Sequence, residues 1–468
     1  MRYKINIHNQ FNSIMRNMKR KLNFIYIGVL ALLLASCGDN SFFEDNDDPN
    51  LGEETNVPEG FIGLEGEVSG TLGPDQQYWV TGDLFIREGE SLTLLEGTTL
   101  IMDGNGRPGG SPEINVAGSL YSYGTAEKPN YIGVEESKRS VANIFRGFWG
   151  GVIGTDTAKD MVFEYTSIEF AGAPAEAGSS IVAEGEIDEG EPRYAVYMVN
   201  PEGNFIMWHS RIAYTKDDAI RLNGAKTLIA YSEFAFNGET GGESVNTKSG
   251  VVGDFCYNIF YGIATNGLKA ANSKGRQPQC NNNYYNNTIV NSGWRRSQAG
   301  RGGSLNYENG ARGEVFNNLV VDSRYGLRLF PPDDEPDMPN MRWGNHYYYG
   351  NNAESVEGFH PENGLIGMNV PGYEDVIIPS SDVFGGIGEN DPLFVDYNVG
   401  SFTPANFRAL NDVGFITNMF EKFKLSPESP ALTGGNTAFS PIFSSYEVNG
   451  KTYTTPLPSE FMGALGAN

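Results

Sequence analysis

The clearest pattern in the chain runs from 82 to 102, "GDLFIREGESLTLLEGTTLIM", where apolar residues come in alternating pairs. Leu84 and Ile86, Leu92 and Leu94, then Leu100 and Met102 step along the chain by 8 residues, with Gly82, Gly89 and Gly97 between them. Alternation at a period of two marks a strand that sends every second side chain to one face. Each pair therefore predicts a short strand with two inward side chains, and each glycine a corner. Three such steps make a coil of about 24 residues.

Spacings near that length return downstream. "YYNNTIVNS" at 284–292 is repeated as "VFNNLVVDS" at 315–323, which matches Asn286 to Asn317, Asn287 to Asn318, Ile289 to Val320 and Ser292 to Ser323 at one offset of 31. Ser210 and Ser232 lie 22 apart, Cys256 and Cys280 lie 24 apart, and Thr166 precedes Ser210 by 44, which fits two coils of 22. A repeat of 22–24 residues with loops at its corners predicts an all-β fold, a right-handed parallel β-helix solenoid. Leucine-rich repeats share the period but need a Leu/Asn consensus that this chain lacks. Equivalent residues of stacked coils sit about 4.8 Å apart, so Ile289 should lie on Val320 in the core and the paired asparagines should form a hydrogen-bonded corner ladder.

The solenoid is expected over 62–395, interrupted by acidic excursions at 171–192 and 331–340. Beyond it, "GFITNMFEKF" sets Ile416, Met419, Phe420 and Phe423 at helical spacing, so 396–468 is expected to be a short helical and irregular C-terminal cap over the open end. The composition agrees: 59 Gly, 24 Tyr and 28 Phe with 19% charged residues favour short strands and turns.

The first segment follows another logic. Residues 1–36 carry a basic "MKRK", the apolar run "FIYIGVLALLL" and then "LASC", which ends at Cys37. This resembles a bacterial lipoprotein signal peptide with its lipobox, and implies that Cys37 carries lipid. Residues 37–61 are acidic and rich in Asn, Pro and Gly, a flexible tether. An acidic run just behind a lipidated Cys resembles the surface-export signal of Bacteroidetes lipoproteins. With Cys37 taken, Cys256 and Cys280 remain, either as a disulfide between neighbouring coils or as inward free thiols.

Charge narrows the partners. The formal charge is −25, and six basic groups sit in the first 36 residues, so the remainder is near −31 and repels nucleic acid. Against that field, 268–312 holds Lys269, Lys274, Arg276, Arg295, Arg296, Arg301 and Arg312 with Glu308 as its lone acid, a net +6, interleaved with Tyr284, Tyr285, Trp294 and Tyr307. Coils of about 24 residues could align Lys269, Lys274 and Arg276 with Arg295, Arg296 and Arg301 on one face, offering an acidic polysaccharide both charge and stacking surfaces. The competing reading is counter-charge for acidic loops.

Other motifs carry less. "GNGRPGG" has a formal dinucleotide-binding glycine spacing, but turn and strand follow where a helix is required. Four histidines, no CxxC, no HExxH and no GxSxG argue against zinc or serine-nucleophile chemistry. Asp217-Asp218 resembles the paired acids of β-helix polygalacturonases, yet that family's Asn-Thr-Asp and Gly-His-Gly are missing, so the pair reads as a polar corner or a Ca²⁺ ligand.

"YWVTGDLFIREGESLTLLEGTTLIM", "GTAEKPNYIGV", "GFWGGVIG" and "FEYTSIEFAGA" resemble β-helix surface lipoproteins of Bacteroidetes, and "NDPLFVDY" with "FKLSPESPAL" resembles the closing segment of many pectate-lyase-like proteins. The resemblance implies a protein anchored in the outer membrane and exposed at the cell surface, and a monomer is expected. The fold hosts many activities. Non-catalytic binding of acidic polysaccharide is expected; the rivals are a lyase acting by β-elimination, with Lys269, Arg295, Arg296 and Tyr307 as candidates, and a passive adhesin stalk. Convergence of the basic residues in a groove beside carboxylates favours a lyase, a flat charged face favours binding, and dispersal favours a stalk.

Overall fold

The computed structural model describes residues 57–467 apart from 411–413. The expected leader, Cys37 and the tether up to residue 56 lie outside the described residues.

Three parallel sheets form the sides of a β-helix. The first begins in Ile62–Glu67 and ends at Tyr347–Tyr349; the second ends at Leu327–Leu329; the third runs from Gly70–Leu72 to Met341–Gly344. One coil reads Arg211–Ala213 in the first sheet, Ile220–Leu222 in the second and Ala225–Ala230 in the third, then re-enters the first at Glu233–Ala235. The long strand Gln77–Ile86 serves two sheets, pairing with Thr99–Met102 by its first half and Ile114–Val116 by its second. The paired apolar residues behave as their alternation requires: Leu84, Ile86, Leu92, Leu94, Leu100 and Met102 are all buried in one continuous core.

The asparagine repeat is a corner. Where the chain passes from the third sheet to the first it turns on a single left-handed residue, at Tyr165, His209, Tyr231, Tyr257, Asn286, Asn317 and Asn345, with φ between 45° and 60°. The next residue points inward and accepts from the backbone N–H of the coil before. Thr166 donates to Ser210 Oγ (2.9 Å), Ser210 to Ser232 Oγ (3.2 Å), Ser232 to Asn258 Oδ1 (3.0 Å), Asn258 to Asn287 Oδ1 (3.1 Å), Asn287 to Asn318 Oδ1 (3.0 Å) and Asn318 to His346 Nδ1 (3.3 Å). Buried backbone donors left over by a tight turn are thereby satisfied. Ile289 pairs with Val320 in the core.

Two spacings resolve differently from their arithmetic. Ser167 pairs with Arg211, so Thr166 and Ser210 belong to adjacent coils; the excursion at 171–192 enlarges one coil where two of 22 were expected. Cys256 pairs with Tyr285, while Cys280 precedes Asn281, the partner of Val252. The two cysteines therefore occupy different places in their coils, and both are buried free thiols. The C-terminal amphipathic element also lies elsewhere than the open end. Met419–Lys422 packs on the flank of the first sheet, where Arg211 donates to Ile416 O (2.8 Å) and the Phe420 N–H meets Glu233 (3.4 Å). Phe423 stacks near Tyr261 and Tyr397. Residues 436–463, including the hairpin Ser445–Val448 and Lys451–Thr454, return along the third sheet.

Candidate functional site

The second sheet's strands are three or four residues long, and their flanking positions point into the core. The middle position points outward, and register places these residues in one row: Tyr197, Arg221, Asn246, Lys269, Asn306 and Arg328. Cation and amide alternate from Arg221 to Arg328. An outer row of this kind would ordinarily be solvated, yet Asn246, Lys269, Asn306 and Arg328 are all at least nine-tenths buried. Their cover comes from loops: 176–191 over the upper coils, 273–279 beside the middle ones, and 296–301 below, where Gly300 O accepts from Arg328.

Burying charge is tolerable only where it is paired. Asp218 accepts from Arg221 Nε and Nη2 (2.8 and 2.6 Å), from Asn246 Nδ2 (3.1 Å) and from the Glu243 N–H (2.7 Å). Glu243 also accepts from Asn246 (3.1 Å) and Asn266 (3.3 Å). Lys269 Nζ lies 2.9 Å from Glu308 and 3.8 Å from Glu243. Glu186, brought in by the excursion, receives Arg221, Asn223 and Lys274. Burial pushes the Asp217 and Asp218 carboxyls up, with Glu243 adding to the rise. At Glu243 the opposing influence of Lys269 and neighbouring donors outweighs burial and holds its pKa low. Lys248 differs: burial, then Arg221 and Lys269, push its pKa down to about 8.

The sequence-predicted basic patch is divided by this geometry. Lys269 and Lys274 are paired with acids, which is the counter-charge reading for those two. Arg295 is buried and spends its guanidinium on the carbonyls of Asn237, Gly238, Glu239 and Gly262, at 2.7 to 3.3 Å, so it ties corner loops together and is turned away from the surface. Tyr307 points into the core and donates to Asn282 O, which removes it as a base. Trp294 is 3% exposed, its indole N–H donates to Asp322 O (2.8 Å), and Arg408 covers its ring at 5.1 Å. Arg276 lies beside the loop over the row, with its N–H on Ser249 Oγ. Arg312 sits at the corner between the second and third sheets. Among the described residues Arg276, Arg296, Arg301 and Arg312 form no ion pair; Arg312 lines a separate cleft, while Arg296 meets Gln298 (3.2 Å) and Arg301 lies over Phe330 (5.6 Å).

The loop that carries Arg296 and Arg301 borders, through Gly300, a cleft of about 690 Å³ lined also by Trp294, Arg324, Tyr325, Glu354, Glu357, Glu362, Asn363 and Arg408, with neither Arg296 nor Arg301 in its lining. Arg324 braces its upper rim by donating to the carbonyls of Arg296 and Arg301. The lining mixes the guanidinium groups of Arg324 and Arg408, the latter paired with Glu354, with the carboxylates of Glu357 and Glu362 and the amide of Asn363. Asp217-Asp218 lies far up the row as a corner; among the described residues no group of three or more His, Cys, Asp or Glu is placed to hold a metal ion.

Arg221, Asn246, Asn306 and Arg328 are the site residues that charge counting passed over. Their signal is the apolar–polar–apolar triplet that recurs once per coil: "IRL", "VNT", "LKA", "LNY", "LRL". No known family, no curated protein and no solved structure matches this chain.

Proposed function

We propose that this is a surface lipoprotein of the Bacteroidetes kind, lipid-anchored through Cys37 in the outer membrane, which binds an extracellular polysaccharide bearing acidic groups without cleaving it. The observation that supports the reading is the pair Arg296 and Arg301, guanidinium groups without an ion pair among the described residues of a strongly acidic protein, carried on a loop whose backbone Arg324 ties to the rim of a cleft. Guanidinium groups hold carboxylates or sulfates in two-point contacts. The cleft lining, with Glu357, Glu362 and Asn363, suits sugar hydroxyls and disfavours a dense polyanion, so a chain with spaced acidic groups fits best.

Affinity electrophoresis of the full chain through gels holding polygalacturonate, alginate or hyaluronan, with dextran as control, tests this. An acidic gel should retard the protein, salt should weaken the effect, and Arg296→Ala with Arg301→Ala should lose about tenfold in affinity. Equal migration in dextran and the acidic gels overturns the proposal, and release of unsaturated, ultraviolet-absorbing products replaces it with a lyase. For the anchor, Cys37→Ala should leave the membrane fraction after a carbonate wash; retention there removes the lipoprotein reading.

A further inference from the structure

On the outer face of the second sheet two buried amide oxygens have no partner among the described residues, and a lysine without an ion pair stands beside them. Lys248 follows the strand Val245–Thr247 and, because Leu222 pairs with Thr247, stands opposite Asn223 of the preceding coil. Asn246 lies two positions earlier on the same strand, so all three share one stretch of a face whose coils repeat at about 4.8 Å. They are 8%, 0% and 2% exposed for Lys248, Asn223 and Asn246. Among the described residues Lys248 Nζ forms no ion pair. Asn223 Oδ1 and Asn246 Oδ1 are buried and find no donor.

Rotating the amides does not remove the problem. Asn246 Nδ2 donates to Asp218 and Glu243 (both 3.1 Å), and Asn223 Nδ2 donates to Glu186 (2.7 Å), so turning either around would set its oxygen against a carboxylate. Leaving a buried polar atom unmatched is costly, and unmatched groups in a cluster point to a missing occupant. The surrounding groups define that occupant's chemistry. A carboxylate only accepts, so it would meet two amide oxygens and the neighbouring Glu243 with nothing to give them. A cation would meet Lys248, Lys269 and Arg221. A hydroxyl both accepts from an ammonium and donates to an amide oxygen.

We propose that Lys248, Asn223 and Asn246 form a subsite for a pair of neighbouring sugar hydroxyls, each accepting from Nζ and donating to one amide oxygen. The subsite rests on the polysaccharide reading above and adds to it that hydroxyls are read on the sheet face, separately from the acidic groups read at Arg296 and Arg301. Loops 273–279 and 176–191 flank this position, and Lys274 bridges them through Glu186 (2.9 Å).

The test uses the full chain with polygalacturonate and with the same polymer O-acetylated, which keeps the carboxylates and blocks the hydroxyls. Lys248→Met should bind polygalacturonate about tenfold more weakly than the parent, and the two should bind the acetylated polymer alike. In the parent, polygalacturonate should protect Lys248 from a small amine-acylating reagent, a readout that needs no variant. If Lys248→Met matches the parent and Lys248 is not protected, while Arg296→Ala with Arg301→Ala still loses binding, the three groups hold only water and this subsite is wrong while the polysaccharide reading stands. If Lys248→Met loses binding and the arginine variant does not, the subsite stands and the arginine assignment falls. Should the parent bind no acidic polymer, both fall.

Discussion

Two outer faces of the same solenoid are buried in contrasting ways. On the third sheet, Val162, Ile206, Leu228 and Ala230 point outward and are covered by Tyr446, Val448 and Tyr453 from the returning C-terminal segment. Most polar atoms along that seam are matched, Thr455 Oγ1 being an exception: Tyr446 donates to Thr227 O and Tyr285 to Pro456 O (both 2.6 Å), and Asp254 accepts from the Ile442 N–H (2.9 Å) and from Asn283 (3.1 Å). On the second sheet the outward row is charged, the cover is a set of separate loops, the amide oxygens of Asn223 and Asn246 stay unmatched, and Lys248 has no ion pair among the described residues. Burial alone does not distinguish a finished surface from a site. The separation comes from whether the chain itself has filled the hydrogen-bonding capacity it buried.

Four measurements would break or sharpen that contrast. The largest effect belongs to the finished face: Tyr446→Ala should cost about 3 kcal/mol in urea unfolding, because it removes a buried ring and strands the Thr227 carbonyl. Next comes the corner ladder. Asn287→Ala loses the acceptor of the Asn258 N–H and the donor to Phe255 O (2.9 Å), and should cost about 2 kcal/mol by the same assay. On the unfinished face the sign reverses, and Lys248→Met should stabilise the ligand-free protein by about 1 kcal/mol at pH 7. The Lys248 pKa falls from 10.5 to about 8 on folding, so the unfolded chain binds more protons between those values and parent stability rises across that window. The variant lacks this rise, so its advantage should fade as pH climbs through 8 to 10.5. A variant that destabilises at pH 7 would show that Lys248 already has its partner. The smallest effect concerns the thiols: with Cys256 and Cys280 free, a reductant should leave the unfolding midpoint unchanged, and a fall would reveal a bridge.

Much of the fold was legible because its signal is local and repeated. Leu84, Ile86, Leu92 and Leu94 alternate within strands, and the Asn-Asn pairs recur because a left-handed corner followed by a ladder residue recurs. The errors came where counting along the chain replaced position in the coil. Cys256 and Cys280 have a coil-like spacing and different registers, and the excursion at 171–192 made one coil imitate two. The site was less legible for a related reason. A linear charge sum over 268–312 cannot see that Tyr307, two places after the inward Leu305, must also point inward, or that Arg295 turns under a corner to meet four carbonyls. Reading the triplets by parity would have placed Arg221, Asn246 and Arg328 on the outer face. The unmatched amide oxygens, however, depend on side-chain orientation and leave no trace in residue order.

The tight corner between the third and first sheets has a further consequence for how this chain can vary. From Glu164 onward that corner spans one or two residues in every coil, whereas the passage from the first sheet to the second ranges from 5 residues at 322–326 to 26 at 170–195. An added residue at the tight corner would displace both a left-handed turn and a rung of the ladder, while doubling an open loop costs only about 0.6 kcal/mol in closure entropy. The solenoid therefore has one sealed seam and open margins where new sequence can be written. The loops flanking the charged row lie on the open margins, so ligand preference can drift by insertion there while the coil stack stays intact.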